Sequence, residues 1–235
     1  DRSMNRALLL LALCQGFFLT NNVVFIAING LVGLQLAPLG WMATLPVTGY
    51  VVGSALSAGL VAKTQSHFGR KRSFQFGLVI AALSAALCAY AAVTKNFWLL
   101  VAATVVAGYY NANAALYRFA GPELVAPEYK ERAISLVLAG GILGAFAGPN
   151  LASATRSILD VPFAAAYLSL VVVALMSLVV LSLIQFPEHH APLPGASSGR
   201  PLSEIVRQPV FIVAVAAGAL GYGVMNLLMA ATPIA

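Results

Sequence analysis

The sequence predicts an all-α protein that crosses a membrane several times. Of its 235 residues, 60% are hydrophobic and only 9% are charged, and the mean hydropathy is +0.90. A soluble domain of this length could not bury so much apolar surface. Uncharged runs long enough for a helical span, which takes about 20 predominantly apolar residues, recur between the charged segments.

Seven spans are predicted. The first uncharged run, 7–62, is long enough for two helices, and Pro38, Trp41 and Pro46 mark a turn between them. The predicted spans are 7–33, 43–62, 74–93, 97–117, 133–154, 162–185 and 209–231. They divide the chain into a six-helix N-terminal bundle (1–186), a polar linker (187–208) that is cytoplasmic in this topology, and the first helix of a second bundle (209–235). We expect this to be the outline of a transporter with two halves, whose second half continues beyond this chain.

Basic residues are distributed unevenly over the predicted loops. If the N-terminus is cytoplasmic, 11 of the 13 Lys and Arg residues fall in cytoplasmic segments, and only Lys95 and Arg156 fall on the other side. This bias predicts a multi-pass protein of the cell inner membrane with its N-terminus inside. The same bias accounts for the basic pI of 9.6, because the basic residues set the orientation in the membrane. We therefore expect a lipid bilayer as partner and no nucleic acid.

Two charged segments between spans resemble a known family. The first reads GRKRS after span two, and the second reads PEYKERA before span five. They resemble the paired cytoplasmic loops of the major facilitator superfamily, with motifs Gly-x-x-x-Asp-x-x-Gly-Arg-Arg/Lys and Pro-x4-Arg-Ala. The resemblance implies a helix bundle of that type and a set of gating residues: Gly69, Arg70, Lys71, Arg72, Glu128, Glu131 and Arg132.

The first loop motif is incomplete. Ala62 and Ser66 stand where the family has its leading glycine and its acid. In the family that acid helps to lock the two halves together, so this part of the gating mechanism is expected to differ here. Pairing of Arg70 or Arg72 with Glu128 or Glu131 would be a substitute.

Span five contains GGILGAFAGPN, which resembles the first half of a motif of the superfamily's drug antiporters. Gly144, Gly148 and Pro149 match Gly-x3-Gly-Pro, whereas Ala152 and Ser153 replace the glycines that would follow. Small residues four apart also let helices approach closely. Packing accounts for the pattern as well as antiport does.

Polar or polarisable side chains recur on single faces of three spans. They are Gln15, Asn22 and Asn29 in span one, Tyr110, Asn113 and Tyr117 in span four, and Tyr222, Met225, Asn226 and Met229 in span seven. Such residues within a membrane face a cavity or another helix. We predict that they line a substrate cavity, with interhelical hydrogen bonding as the alternative. The family resemblance implies that the same three helices line the central path.

The two methionines of span seven suggest a substrate. Met225 and Met229 lie one turn apart, and two neutral thioethers at that spacing favour the soft ion Cu(I). Met-x3-Met followed by ATPIA resembles the signature of the CcoA-type copper importers, a branch of the superfamily. The resemblance implies copper import by alternating access, with copper as cargo and no resident cofactor. Because two thioethers alone make an incomplete site, we also expect a third ligand from Cys14, a later helix or a water.

Two alternatives remain open at this stage. A carrier of small organic molecules, for riboflavin uptake or drug efflux, would use the same aromatic and amide stripes. A non-transporting membrane assembly subunit could share the fold. No nucleophile, catalytic dyad or phosphate-binding loop stands out, so we do not expect an enzyme, and a monomer is the expected unit.

Overall fold

The protein is a bundle of long helices. The structure, a computed structural model, describes residues 2–188 and 201–232, with the side chains of 2–5 and 230 excepted, and these residues form no strand. The long helices are α1 (Arg2–Leu36), α2 (45–68), α3 (70–94), α4 (Phe97–Ala114), α5 (Lys130–Thr155), α6 (Ala164–Ser182) and α7 (Pro209–Ala231). A short helix, Leu202–Val206, precedes α7. The predicted all-α membrane fold is confirmed, while most of the predicted linker lies outside the described residues.

Helices α2 and α3 form one helical stretch, Leu45–Thr94, that is broken at Gly69. At 1.5 Å per residue its 50 residues would measure about 75 Å, more than twice the thickness of a bilayer core. Gly69 adopts φ 80° and ψ 169°, a conformation open mainly to glycine. The Oγ1 atom of Thr64 and the Oγ atom of Ser73 lie 3.2 Å apart, so the chain folds back sharply here. The predicted spans two and three were therefore too short, because helix fills most of the segment between them.

Helices α1 and α5 pack with their backbones in contact. A Cβ atom added at Gly140 would collide with the backbone of Ala12, and one added at Gly144 would collide with the carbonyl oxygen of Gly16. A Cβ at Gly148 would lie 2.9 Å from Val23. The small residues of span five therefore serve helix packing, which was one of the two interpretations of the antiporter-like motif.

Helices α2 and α4 meet in the same way. A Cβ atom on Gly108 would collide with the backbone of Gly53 and Ser54. Two close pairs, α1 with α5 and α2 with α4, thus form the frame of the bundle, and α6 packs against α1 and the α2–α3 stretch.

Two apolar clusters follow one another along the bundle. The first cluster contains residues between Val24 and Val32 of α1, together with Tyr50 and Tyr167. The second cluster contains residues between Leu8 and Phe18 of α1 and partners from α3 to α6. The stretch of α1 between the clusters carries three buried polar residues, Thr20, Asn21 and Asn22. Polar groups are thus concentrated near the middle of α1, where the two clusters meet.

Helix α7 lies against the bundle with little of its surface covered. It contacts α1, and Met229 packs against the first cluster. Val210 and Leu220 are 80% and 72% exposed. An apolar surface of this kind suits lipid or further helices, because water would hydrate it poorly.

We expect the Gly144→Ala substitution to destabilise the bundle. The added methyl group would meet the Gly16 carbonyl oxygen, the Thr20 nitrogen at 2.7 Å and the Leu19 Cβ atom at 2.8 Å, and overpacking of this kind costs about 1–3 kcal/mol. The melting temperature of the purified protein in detergent should fall by several degrees. Gly59→Ala is the matched control, because nothing lies within 4 Å of its added methyl group. An equal fall in both variants would contradict the packing described for α1 and α5.

Candidate functional site: a charge-free face of amides and aromatic rings

One face of α1 alternates amide and aromatic side chains. Gln15, Phe18, Asn22, Phe25 and Asn29 follow at steps of three and four residues, which places them on one side of the helix. Each of the five is at most 7% exposed. We call this row the α1 stripe.

The last residue of the α1 stripe is fully paired. Asn29 accepts a hydrogen bond from the Tyr167 hydroxyl at 2.7 Å and donates one to the carbonyl oxygen of Phe25 at 2.8 Å. It therefore ties α1 to α6. Its geometry matches the interhelical alternative and not the predicted cavity.

The other two amides of the stripe are buried without such pairing. Gln15 Oε1 and Asn22 Oδ1 have no hydrogen-bond partner among the described residues, and the same holds for the Tyr50 hydroxyl on α2. The Tyr50 ring packs on Phe25 with 4.7 Å between ring centroids, and Ser54, one turn further along α2, accepts a hydrogen bond from Asn111 of α4 at 3.2 Å. Helices α1 and α2 therefore carry buried polar groups that no described residue pairs, beside a polar contact to α4.

Tyr50 was missing from the sequence prediction. A signal was present, since Tyr50, Ser54 and Ser57 recur at helical spacing in span two. Isolated hydroxyl groups in a span are often bonded to their own helix, as Thr48 is to the carbonyl oxygen of Thr44. For that reason a stripe of hydroxyls is weaker evidence for a cavity than a stripe of amides.

Two predicted residues of span four, Tyr110 in α4 and Tyr117 just after it, meet the α1 stripe. The Tyr110 and Tyr117 rings approach Phe18 edge to face, with ring centroids 5.7 Å and 6.3 Å away. Such pairs contribute about 0.5–1.5 kcal/mol beyond area burial. The aromatic contacts link α1 to α4 across the second cluster.

The third predicted residue of α4, Asn113, points elsewhere. Its Oδ1 accepts from Gln65 Nε2 at 3.0 Å, and its Nδ2 donates to the backbone oxygen of Ser73 at 2.7 Å. Thr64 extends this polar network to the Tyr109 hydroxyl at 3.0 Å. Asn113 is therefore part of the packing around the Gly69 turn, and its geometry does not match the predicted cavity role.

Asn111 connects α4 to α7. Its Nδ2 donates to the Ser54 hydroxyl at 3.2 Å and to the Tyr222 hydroxyl at 3.4 Å. The sequence analysis predicted Tyr222 as a cavity-lining residue and did not include Asn111, which contacts it. Asn226 instead bonds to its own helix, donating to the carbonyl oxygen of Tyr222 at 2.9 Å.

The two methionines of α7 have different surroundings. Met229 packs against the first cluster, whereas Met225 is 41% exposed. Cys14, suggested as a further ligand, belongs to the second cluster, and its thiol points towards the Ser177 carbonyl oxygen, 4.0 Å away. Met229 and Cys14 thus lie in separate parts of the bundle.

The predicted gating loops meet at one end of the bundle. Arg70 forms a salt bridge with Glu123, with 2.7 Å between Nη2 and Oε1, and donates to Gln65 Oε1 at 3.0 Å. Neither Glu128 nor Glu131 pairs with Arg70 or Arg72 in the described chain. The expected substitute for the missing acid was therefore assigned to the wrong glutamates. Glu123 approaches because the chain after α4 folds into the short turns Tyr117–Ala120 and Gly121–Leu124.

The other loop cations have distinct environments. Lys71 donates to the Ser182 carbonyl oxygen at 2.8 Å, where a positive charge complements the C-terminal end of α6. Arg72 and Arg132 are exposed. A cavity of about 620 Å³ lies beside Gly69 and the Arg70–Glu123 pair.

The sequence profile of the Major Facilitator Superfamily matches residues 8–235. The chain belongs to this superfamily. The Gly69 turn with its following cations and the helix bundle around the α1 stripe are therefore parts of a major facilitator protein, which confirms the resemblance seen in the loops at the level of the superfamily.

Among curated proteins, the chain is similar to three members of the same type. It is 34% identical to the riboflavin transporter RfnT of Brucella anthropi over 98% of this chain and 58% of that protein. It is 27% and 29% identical to the MFS-type transporters YdeG and YddS of Bacillus subtilis, over 62% and 51% of this chain and 34% and 27% of those proteins. The chain thus spans little more than half the length of RfnT.

Among solved structures, the fold matches the human organic anion transporter MFSD10 (TETRAN) with a TM-score of 0.58. The match has 16% sequence identity and covers 77% of this chain and 47% of that one. At that identity the likeness concerns the fold alone. RfnT and MFSD10 are described as transporters of other substrates, and YdeG and YddS are uncharacterized, so the predicted copper-importing branch has no support from them.

We expect Asn113→Leu to lower the stability of this major facilitator bundle. The substitution removes the partner of Gln65 and of the Ser73 backbone, and Asn113 is 1% exposed, so the loss should reach about 1–3 kcal/mol. Thermal unfolding in detergent measures it. Asn150→Leu is the control, because Asn150 is exposed and bonds only to its own helix. A loss confined to Asn150→Leu would refute the role given to Asn113.

Proposed function

We propose that the protein is a transporter of small, uncharged, aromatic molecules, with riboflavin as its substrate. The observation that carries this proposal is the face formed by the α1 stripe with Tyr50, Asn111 and Tyr222. It offers aromatic rings and neutral hydrogen-bonding groups and no fixed charge. The riboflavin transporter RfnT, to which 98% of the chain is similar, points to the same class of substrate.

The chemistry of the face suits a neutral substrate. The segments that build it, 7–62, 96–117 and 208–235, contain no Asp, Glu, Lys or Arg. An anionic or cationic substrate would lose its hydration there without gaining a counter-charge, which is costly in a membrane interior. A neutral ring system with amide and hydroxyl groups can instead exchange hydrogen bonds with water for hydrogen bonds with the protein.

Transport by alternating access is consistent with how α7 is held. In such transporters two bundles rock around a midplane site. The Asn111–Tyr222 bond at 3.4 Å and the packing of Met229 are among the contacts that join α7, the first helix of the second bundle, to the six-helix bundle. Contacts of this kind can break and re-form as the bundles move.

Copper import is less well supported than riboflavin transport. It rests on the spacing of Met225 and Met229, and the different surroundings of these two side chains do not favour a preformed pair. Two methionines four apart also occur as ordinary packing residues.

We expect the complete gene to confer riboflavin uptake. Expressed in a bacterium that cannot synthesise riboflavin and has no riboflavin importer, it should restore growth at low external riboflavin and accumulation of labelled riboflavin, because the charge-free face accepts this substrate. A strain carrying the empty vector is the baseline. A normally inserted protein that gives neither growth nor accumulation would argue against the proposal and favour a non-transporting subunit.

The same strain separates flavin from copper. The double variant Met225→Leu and Met229→Leu changes side-chain volume little and removes both sulfur atoms. We expect its riboflavin uptake to stay within about twofold of the unmodified protein and cellular copper to be the same in both. If cellular copper instead falls in the double variant, copper import is favoured over riboflavin uptake.

A further inference from the structure

Few buried polar atoms lack a hydrogen-bond partner in the described part of the chain. They belong to Gln15, Asn22, Tyr50, Asn226 and Ser177. Four of these five residues lie on α1, α2 and α7, and Gln15 and Asn22 belong to the α1 stripe. A buried polar group without a partner costs about 1–3 kcal/mol, and native proteins retain such groups mainly where they have a use.

Burial distinguishes three of these residues. Gln15 is 7% exposed, Asn22 is 5% exposed and Tyr50 is 1% exposed, so bulk water has no free access to their polar ends. Rotating either amide by half a turn would place nitrogen where oxygen now lies, so a partner is needed in both orientations. Each amide oxygen requires a hydrogen-bond donor as it now lies, and a ligand group that can both donate and accept would satisfy either orientation.

The spacing of the two amides sets the length of the ligand. Gln15 and Asn22 are seven residues apart, which corresponds to about 10 Å along one side of a helix. Phe18 lies between them on the same stripe. Phe25 follows Asn22 on the stripe, and its ring packs against the Tyr50 ring with 4.7 Å between ring centroids. A ligand that meets both amides is elongated, and its middle section contacts aromatic rings.

We propose that Gln15, Asn22 and Tyr50 are the specificity-determining residues of the proposed transport site, and that they bind an elongated neutral molecule at two separate points. This inference rests on the proposed function. One amide pairs with an imide edge, which offers an N–H group and carbonyl oxygens side by side, and the other pairs with hydroxyl groups of a polyol chain. Riboflavin carries the imide edge on a terminal ring of its ring system and the polyol chain on a nitrogen of the central ring.

Asn29 is excluded from the site by its geometry. Both ends of its amide are bonded within the protein, to Tyr167 and Phe25. It continues the same stripe and has the same chemistry as Asn22. The pair Asn22 and Asn29 thus provides a matched comparison between a substrate-binding amide and a structural one.

The test compares riboflavin with two analogues on the complete, purified protein. In 3-methylriboflavin the imide N–H group is blocked, and in lumiflavin the polyol chain is absent. Quenching of flavin fluorescence gives the dissociation constant of each. The unmodified protein should prefer riboflavin to both, because each analogue leaves one amide without its partner.

Single variants then assign the contacts. Gln15→Met and Asn22→Leu should each weaken riboflavin binding by about tenfold, the loss expected for one hydrogen bond with a buried partner. Each variant should also lose its preference over one analogue, a different one in each case, and keep its preference over the other. Tyr50→Phe should weaken riboflavin binding without unfolding the protein. Asn29→Leu should lower the melting temperature and leave both preferences unchanged.

The outcomes separate this inference from the proposed function. If the unmodified protein binds riboflavin and Gln15→Met and Asn22→Leu keep both preferences, the residue assignment is wrong while the function stands. If the unmodified protein binds riboflavin no better than the two analogues, the two-point contact is refuted without any variant. If it binds no flavin, the proposed function fails, and the inference fails with it.

Discussion

The need to give every buried polar group a hydrogen-bond partner governs this structure. Within a bilayer water cannot serve as that partner, so each amide or hydroxyl must find one in the protein. Asn29 is hydrogen-bonded to Tyr167. Asn113 is hydrogen-bonded to Gln65 and to the Ser73 backbone. Asn111 is hydrogen-bonded to Ser54 and Tyr222. The bonds join α1 to α6, the Gly69 turn to α4, and α4 to α7. Against this background, the unpaired ends of Gln15, Asn22 and Tyr50 mark the place where the protein alone is incomplete.

Close backbone packing makes that arrangement possible. Glycines at the α1–α5 and α2–α4 crossings bring two helix pairs into direct contact, so the amides and rings of α1, α2 and α4 are held at short range. The link to α7 is weaker by comparison. A bond of 3.4 Å between Asn111 and Tyr222 and the packing of one methionine can be exchanged at little cost, since interhelical hydrogen bonds in membranes contribute about 0.6 kcal/mol on average. The α1–α5 and α2–α4 pairs are thus held more closely than α7 is in this part of the protein.

The fold could be predicted from sequence because composition and spacing report directly on burial in lipid. Six uncharged runs, the first long enough for two spans, predicted the seven helices. Polar spacing on spans one and four identified buried residues, whereas Tyr222 and Met225 of span seven are 39% and 41% exposed. The partner of each residue could not be predicted. Asn111 and Asn113 are both buried, so the pattern could not tell that Asn111 rather than Asn113 reaches α7. Glu123 pairs with Arg70 because of the turns after α4, which no periodic signal describes. The spacing of Met225 and Met229 likewise says that they share a side of α7, but not what that side contacts.

The most direct test of this account is an experimental structure of the complete protein with riboflavin bound. The account predicts the flavin between α1, α2, α4 and α7, with its imide edge and its polyol chain each within hydrogen-bonding distance of one of the two amides, Gln15 and Asn22, and with Asn29 still bonded to Tyr167. A flavin bound away from the α1 stripe would contradict it. So would a structure in which Gln15 and Asn22 are paired with other protein groups while the substrate is bound.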